Sequence, residues 1–256
     1  MQSFAERSVD LGVHRSNQTC SVSSSGALHI QTVFLDAGGV LIFPNWQRVS
    51  DTLARHGFAV SAEALREAEP VVKFAIDTAE QVGSTNDAQR GGNLFDGVLD
   101  AVGVPRTPSR TDALSELYAY HMEHNLWEDV APDARATLDR LQALGLTLAV
   151  VSNANGVVQR AFERAGLHGY FGAICDSQIE GVEKPDPRFF EIVLKRTGSR
   201  PERTLHVGDL YHVDVIGARR AGLHALLLDA HGLYEGFDVE RIRHLAELPD
   251  LVQKMR

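Results

Sequence analysis

Short apolar runs alternate with amphipathic stretches along the second half of the chain. The apolar runs are rich in Val, Leu and Ala, which is typical of strands buried on both faces. They cover 146–151, 173–175, 204–207 and 225–228. The amphipathic stretches predict helices over about 132–144, 154–165, 187–197 and 211–221, each followed by a glycine. Strands that alternate with helices of this length predict right-handed βαβ units. The expected fold is a Rossmann-like α/β core, a three-layer doubly wound parallel sheet.

The alternation stops after an early apolar run, Thr32-Val33-Phe34-Leu35. From residue 45 to 125 the pattern is helical, over 47–56, 61–80, 86–102 and 110–125, without a convincing strand. An insertion here would hang over the carboxyl ends of the strands, where open α/β sheets bind their ligands. We therefore predict a core built from 30–44 and 126–256, with a small helical cap over 45–125. The serine-rich segment 1–29 lacks an apolar signal-peptide core and predicts a flexible tail.

Composition narrows the choice of partners. The net charge of −9 argues against nucleic acid, because a phosphate backbone requires a basic surface. No apolar run is long enough to span a membrane. Cys20 and Cys175 are the only cysteines, which favours a reducing compartment and hence the cytoplasm. We expect a small-molecule substrate, no nucleic-acid or membrane partner, and leave a homodimer open.

Carboxylates follow two of the predicted strands. Asp36 ends the first apolar run and is followed by Gly38 and Gly39, so it lies where a buried strand breaks into a tight turn. Asp209 and Asp214 follow the apolar run 204–207. The carboxyl ends of parallel strands meet at one edge, where three acids repel one another unless a cation lies among them. Magnesium, a hard ion that prefers oxygen ligands, suits such a site.

Other polar residues belong to the same predicted edge. Ser152 and Asn153 end the run 146–151 and precede a predicted helix, so their hydroxyl and backbone N–H groups could hold an anion. Lys184 lies in Glu183-Lys184-Pro185-Asp186-Pro187, in a chain with four lysines and 21 arginines. Its compact ammonium suits screening of a nucleophilic carboxylate.

Four segments carry these residues, with Asp36, Ser152, Lys184 and the pair Gly208-Asp209 in that order along the chain. Together they resemble the haloacid dehalogenase superfamily, whose members are mostly magnesium-dependent phosphatases. The resemblance implies that Asp36 is a nucleophile that forms an aspartyl-phosphate, with Ser152 and Lys184 as its catalytic partners. It also implies metal ligation by Asp36, the carbonyl of Gly38 and Asp209, with Asp214 supporting the site. On this basis we predict a magnesium-dependent phosphatase that acts on a small phosphorylated metabolite bound by Ser152, Asn153 and the cap residue Lys73.

Gly38 departs from the family pattern. The phosphatases carry a second Asp at this position, a general acid and base that contributes about 10²- to 10⁴-fold. Four alternatives follow. The first is a phosphatase that uses another proton donor, such as His212 or a cap residue, or that accepts substrates whose leaving group needs no acid. The others are a phosphonatase-like enzyme in which Lys73 forms a Schiff base, a metal-free 2-haloacid dehalogenase, and a non-catalytic protein that binds a phosphorylated ligand. The pair Gly208-Asp209 with Asp214 counts against the dehalogenase.

Overall fold

The structure, a computed structural model, describes residues 29–256, so the predicted tail lies almost entirely outside the described residues. Within the described residues, six parallel strands form the central sheet in the order β5-β4-β1-β6-β7-β8. Their bounds are β1 Thr32–Leu35, β4 Thr147–Ser152, β5 Ala173–Asp176, β6 Thr204–Gly208, β7 His224–Leu228 and β8 Glu240–Ile242. This order, in which the chain runs outward from a central β1 in both directions, confirms the doubly wound sheet.

Helices cover both faces of this sheet. Alternate residues of β1 point to opposite sides: Val33 and Leu35 pack with one buried cluster and Phe34 with the other. The first cluster includes residues of α6 Ala134–Ala143, α7 Val158–Arg164 and α11 Leu248–Lys254. The second includes residues of α9 Pro187–Thr197 and α10 Ile216–Arg220. A short helix, α8 Ser177–Glu180, follows β5. The fold is therefore the predicted three-layer α/β core.

Five helices follow β1, with their own buried cluster around Trp46, Leu53 and Val98. They are α1 Trp46–Arg55, α2 Ala62–Ile76, α3 Ala79–Ser84, α4 Asp87–Ala101 and α5 Pro108–His124. We call these helices the cap. No helix among residues 29–256 combines the length and the apolar character that a membrane crossing requires.

The structure corrects several predicted boundaries. The helix expected over 61–80 breaks at Asp77 into α2 and α3. A short antiparallel ribbon, β2 Ile42–Pro44 with β3 Trp127–Val130, joins the core to the cap and was not predicted. The helix expected from residue 154 begins only at Val158. The helix expected over 211–221 begins as a π-helical turn, Tyr211–Val215, before α10.

Candidate active site

Three carboxylates lie together at the carboxyl end of the sheet. Leu35 pairs with Val207 across β1 and β6, so the residues that follow these strands leave the sheet side by side. Asp36, Asp209 and Asp214 each place a carboxylate oxygen within 4.8 Å of the others. Oδ1 of Asp36 accepts a hydrogen bond from the backbone N–H of Ala37 at 2.7 Å. The sequence-predicted acid cluster is therefore assembled.

Two glycines allow the carboxylates to approach the backbone. A Cβ on Gly39, whose φ is +79°, would lie 2.0 Å from Oδ2 of Asp209. A Cβ on Gly208 would lie 2.1 Å from the carboxyl carbon of Asp214. Any side chain at either position would displace a carboxylate, so both glycines are required by close approach.

Lys184 is fully buried between two of these acids. Its Nζ lies 2.9 Å from Oδ1 of Asp36 and 2.8 Å from Oδ1 of Asp214. Burial alone would lower the pKa of Lys184, but the two carboxylates outweigh it and raise the pKa. The ammonium is therefore held charged at the centre of the site. The loop that carries it is fixed by Asn153, whose side-chain amide exchanges hydrogen bonds of 2.8 Å and 3.0 Å with the Lys184 backbone.

His206 is a member of the site that the sequence analysis did not assign. It lies within β6, fully buried, and its Nε2 donates to Oδ1 of Asp214 at 3.0 Å. Burial lowers the pKa of His206 and favours the neutral ring. Burial would raise the pKa of Asp214, but Lys184 and His206 outweigh it and hold that pKa well below its usual range. The sequence signal that could have identified His206 is its place between the apolar residues Leu205 and Val207 of a buried strand.

The cluster is short of positive charge despite Lys184. Burial, together with the charges of Asp214 and Asp209, raises the pKa of Asp36 to about 7 against the opposing effect of Lys184. Burial also raises the pKa of Asp209. An additional cation among these oxygens would relieve the repulsion and keep the carboxylates ionised. The donor set, carboxylate oxygens only, fits a hard divalent ion such as Mg²⁺.

Lys73 crosses from cap helix α2 to the core. Its Nζ lies 2.9 Å from Oδ2 of Asp209 and 3.1 Å from Oε1 of Glu69, one turn earlier in the helix. The second carboxylate oxygen of Glu69 accepts a 2.7 Å hydrogen bond from the indole of Trp46. Burial alone would lower the pKa of Lys73, but the carboxylates of Asp209 and Glu69 outweigh this effect and raise the pKa above its usual value. A lysine held charged cannot attack a carbonyl, so this arrangement argues against the Schiff-base reading.

Ser152 ends β4 beside the acid cluster, but the helix that follows does not offer a free anion site. The carboxylate of Asp176 already accepts hydrogen bonds from the backbone N–H groups of Gly156 at 2.9 Å and Val158 at 3.3 Å. The first turn of α7 is therefore satisfied by a side chain of the protein itself. The helix assumed in the anion-binding prediction begins at Val158 and not at 154, and anion binding by Ser152 and Asn153 stays a prediction.

The space beside Gly38 is bordered by Trp127. A Cβ on Gly38 would lie 3.2 Å from Nε1 and 3.3 Å from Cδ1 of Trp127. The indole follows Asn125, whose φ of 63° makes it the one non-glycine residue with positive φ in the described part of the chain. Oδ1 of Asn125 accepts the Trp127 backbone N–H at 3.1 Å. A strained residue where the cap rejoins the core therefore places an aromatic ring beside Gly38.

His212, the suggested replacement proton carrier, does not line the site. Its Nδ1 lies 2.8 Å from the backbone carbonyl of Asp77, and its backbone N–H donates to the Asp77 carboxylate at 3.0 Å. That carboxylate also accepts from the hydroxyl of Tyr234 at 2.8 Å. His212 fastens the break between α2 and α3 to the core, so this reading of His212 is not supported.

A cavity of about 720 Å³ separates the cap from the core. Asp36, Lys184 and Asp209 line it on the core side, and residues of cap helices α4 and α5 form much of the opposite wall. Ser152, Asn153 and Lys73 also line it. All the residues predicted to act on substrate therefore share one cleft, which is of the size that commonly holds a small molecule.

An α/β core with a helical cap, and an acid cluster at the carboxyl end of its central strands, defines a class of hydrolases. The family model of haloacid dehalogenase-like hydrolases matches residues 30–222. The chain belongs to this family.

Several curated relatives are phosphatases by name. The chain is 31% identical, over 63% of its length and 72% of the relative, to a glyceraldehyde 3-phosphate phosphatase of Methanopyrus kandleri. It is 37% identical, over 50% of its length and 52% of the relative, to a ribulose-1,5-bisphosphate 5-phosphatase of Halopiger xanaduensis. It is 32% identical, over 68% of its length and 70% of the relative, to a haloacid dehalogenase-like hydrolase domain-containing protein 3 of Bos taurus. For other curated relatives, as for the Halopiger phosphatase, the chain spans only about half of the relative's length.

Solved structures give the same fold. A putative hydrolase from Bacillus subtilis, solved with bound magnesium, superposes with a TM-score of 0.65 at 19% identity, covering 88% of this chain and 99% of the other. A dehalogenase superposes with a TM-score of 0.61 at 21% identity, covering 87% and 96%. A putative hydrolase and a dehalogenase thus share this architecture, so the fold alone does not identify the reaction.

Proposed function

We propose that this protein is a magnesium-dependent phosphatase that cleaves a small phosphate monoester through an aspartyl-phosphate on Asp36. The observation that carries the proposal is the buried Lys184 ammonium between Asp36 and Asp214, within a cluster of three carboxylates. Lys184 and Lys73 together face four carboxylates, those of Asp36, Asp209, Asp214 and Glu69. The two uncompensated negative charges are what a divalent ion would balance. The phosphatases among the curated relatives support the same reaction class.

Asp36 has one oxygen engaged and one available. Oδ1 is held by the Ala37 N–H and by Lys184, whereas no described residue hydrogen-bonds Oδ2. We infer that Oδ2 attacks phosphorus while the bond from phosphorus to the alcohol oxygen breaks. The departing alkoxide takes a proton from water, since position 38 carries no acid. Water then attacks phosphorus of the aspartyl-phosphate, which releases inorganic phosphate and restores the Asp36 carboxylate.

The other residues position and screen these groups. Lys184 offsets the charge of Asp36 as the phosphate approaches, and Asn153 fixes the Lys184 backbone. Ser152, which lines the cavity, would contact the phosphoryl oxygens. Mg²⁺ held by Asp36 and Asp209, with the Gly38 carbonyl and support from Asp214, would neutralise charge on the phosphoryl group. A cytoplasmic location, inferred from the cysteine content, belongs to the same proposal.

Release of phosphate and release of halide test the proposal together. Purified protein should hydrolyse 4-nitrophenyl phosphate in Mg²⁺, lose the activity in excess chelator, and lose it in Asp209→Asn. Asp238→Asn, which changes an exposed acid outside the cluster and the cavity lining, serves as the control. Chloride release from 2-chloropropionate that persists in chelator would replace the phosphatase with the metal-free dehalogenase. Absence of both activities would favour the non-catalytic reading.

A further inference from the structure

The cap side of the cavity is walled largely by apolar side chains. Leu94 and Phe95 of α4 and Leu117, Tyr118 and Met122 of α5 line it. Tyr118 and Met122 remain 63% and 45% exposed, which is unusual for large apolar residues that no partner covers. An apolar wall that leads from the surface to the acid cluster favours a ligand with an apolar part.

Two adjacent glycines in α4 enlarge this space. Gly91 and Gly92 lie within the helix and line the cavity, and a Cβ on either would meet no atom within 4 Å. Neither has a positive φ, so the backbone does not require glycine. Gly97, further along α4, differs because its Cβ would lie 2.6 Å from Val72, so close packing explains it. Glycine inside a helix costs roughly 1 kcal/mol relative to alanine, yet packing and backbone geometry account for neither Gly91 nor Gly92. Because both glycines line the cavity, we attribute them to the room that a bound ligand needs.

The charges of the cavity indicate how many anionic groups it accepts. Among the described residues that line it, three side chains are permanently cationic, namely Lys73, Lys184 and Arg90. Lys73 and Lys184 pair with the acid cluster, and Arg90 donates to Glu183 at 3.0 Å. No cation in the lining is left for a second phosphate or carboxylate, whose burial without a partner would be unfavourable.

We infer that the substrate is a monophosphate ester of an uncharged, largely apolar alcohol, whose apolar part occupies the space beside Gly91. This inference rests on the proposed phosphatase activity and specifies the substrate class of that same site. Small polar triose phosphates fill little of the cavity, and a sugar bisphosphate would bring a second anion without a cation to receive it.

Two alkyl esters of similar leaving-group basicity isolate the effect of the apolar group. In Mg²⁺, kcat/KM for 2-phenylethyl phosphate should exceed that for ethyl phosphate at least about tenfold, as expected for a hydrophobic group in a matching pocket. Ribulose 1,5-bisphosphate should be the poorest substrate. Gly91→Leu should reduce the phenylethyl-to-ethyl ratio about tenfold, because the new side chain fills the space. Gly83→Leu, an exposed helical glycine outside the cavity with nothing near its Cβ, is the matched control and should keep the ratio.

Calorimetric binding separates failure of this inference from failure of the proposed function. If none of the esters is hydrolysed, the phosphatase proposal fails, and tighter binding of 2-phenylethyl phosphate than of ethyl phosphate would still support the cavity assignment. Equal kcat/KM and equal affinity for the two esters, a preference for the bisphosphate, or an unchanged ratio in a folded Gly91→Leu protein would overturn the inference.

Discussion

The substitution Gly38→Asp tests how far the absence of a carboxylate at position 38 lowers the catalytic rate. The backbone of Gly38 lies outside the left-handed region, so an Asp is compatible with its φ. The new Cβ would lie 3.2 Å from Nε1 of Trp127, a few tenths of an ångström too close. Trp127 is only partly buried, so a small shift of its indole relieves the contact. We expect a stability loss of about 1 kcal/mol, at the low end for an extra group in a packed site.

The activity should change with the basicity of the leaving group. A positioned acid contributes on the order of 10²- to 10⁴-fold, and we expect about 10² for an alkyl phosphate because the indole N–H would favour the ionised form of the new carboxylate. An aryl oxide leaves without a proton, so hydrolysis of 4-nitrophenyl phosphate should gain little. The assay is kcat for 2-phenylethyl and 4-nitrophenyl phosphate in both proteins, with unfolding followed in parallel.

The neighbouring glycine supplies the control for this experiment. Gly39→Asp combines a φ of +79° with a Cβ that would lie 2.0 Å from Asp209, so it should abolish turnover of both esters. An unchanged alkyl-to-aryl ratio in a stable Gly38→Asp protein would refute the reasoning, since proton transfer would not be the deficit. Equal losses on both esters, as in Gly39→Asp, would show that Gly38 is required by the structure.

Three further substitutions probe the charges of the site. Metal-free Asp36→Asn should be more stable than metal-free wild type above pH 7, by on the order of 4 kcal/mol, because burial raises the Asp36 pKa from 3.8 to about 7. In urea unfolding this difference should vanish as the pH falls from 7 to 4, and a difference independent of pH would contradict it. Lys184→Met should lower the free energy of unfolding by about 3–5 kcal/mol at pH 8, because it leaves buried carboxylates unpaired. The loss should be smaller at pH 5, where Asp36 is protonated, and an unchanged melting temperature would contradict the buried ion pair. Lys73→Met should tighten Mg²⁺ binding in calorimetry because it frees Asp209, whereas exposed Lys195→Met should not; weaker binding would count against this role.

Much of the core was predictable because burial on both faces makes its strands apolar. The edge strand β8 escaped notice because Glu240-Arg241-Ile242 is mostly polar. The break at Asp77 depends on hydrogen bonds from Tyr211 and His212, more than 130 residues away along the chain, and helical periodicity carries no record of them. Tertiary contacts therefore decided the boundaries that local patterns missed.

In the candidate site, too, local patterns predicted some residues, whereas others depend on tertiary contacts. Asp36, Ser152 and Asp209 were predictable because each lies at or just after the end of a buried strand, and parallel strands bring their ends to one edge. The position of Trp127 beside Gly38 was not, because it depends on a strained turn at Asn125. The contact from Lys73 to Asp209 joins cap and core, and spacing within either segment does not predict it.

Chemical trapping of the intermediate tests the central proposal most directly. Protein mixed with 4-nitrophenyl phosphate and Mg²⁺, quenched in acid within one turnover and digested, should carry one phosphoryl group on the peptide that contains Asp36. The adduct should be removed by hydroxylamine, as an acyl phosphate is, and should be absent in chelator and in Asp36→Asn. Phosphate release at an undiminished rate with no phosphoryl group on Asp36, or with full activity in Asp36→Asn, would contradict the account.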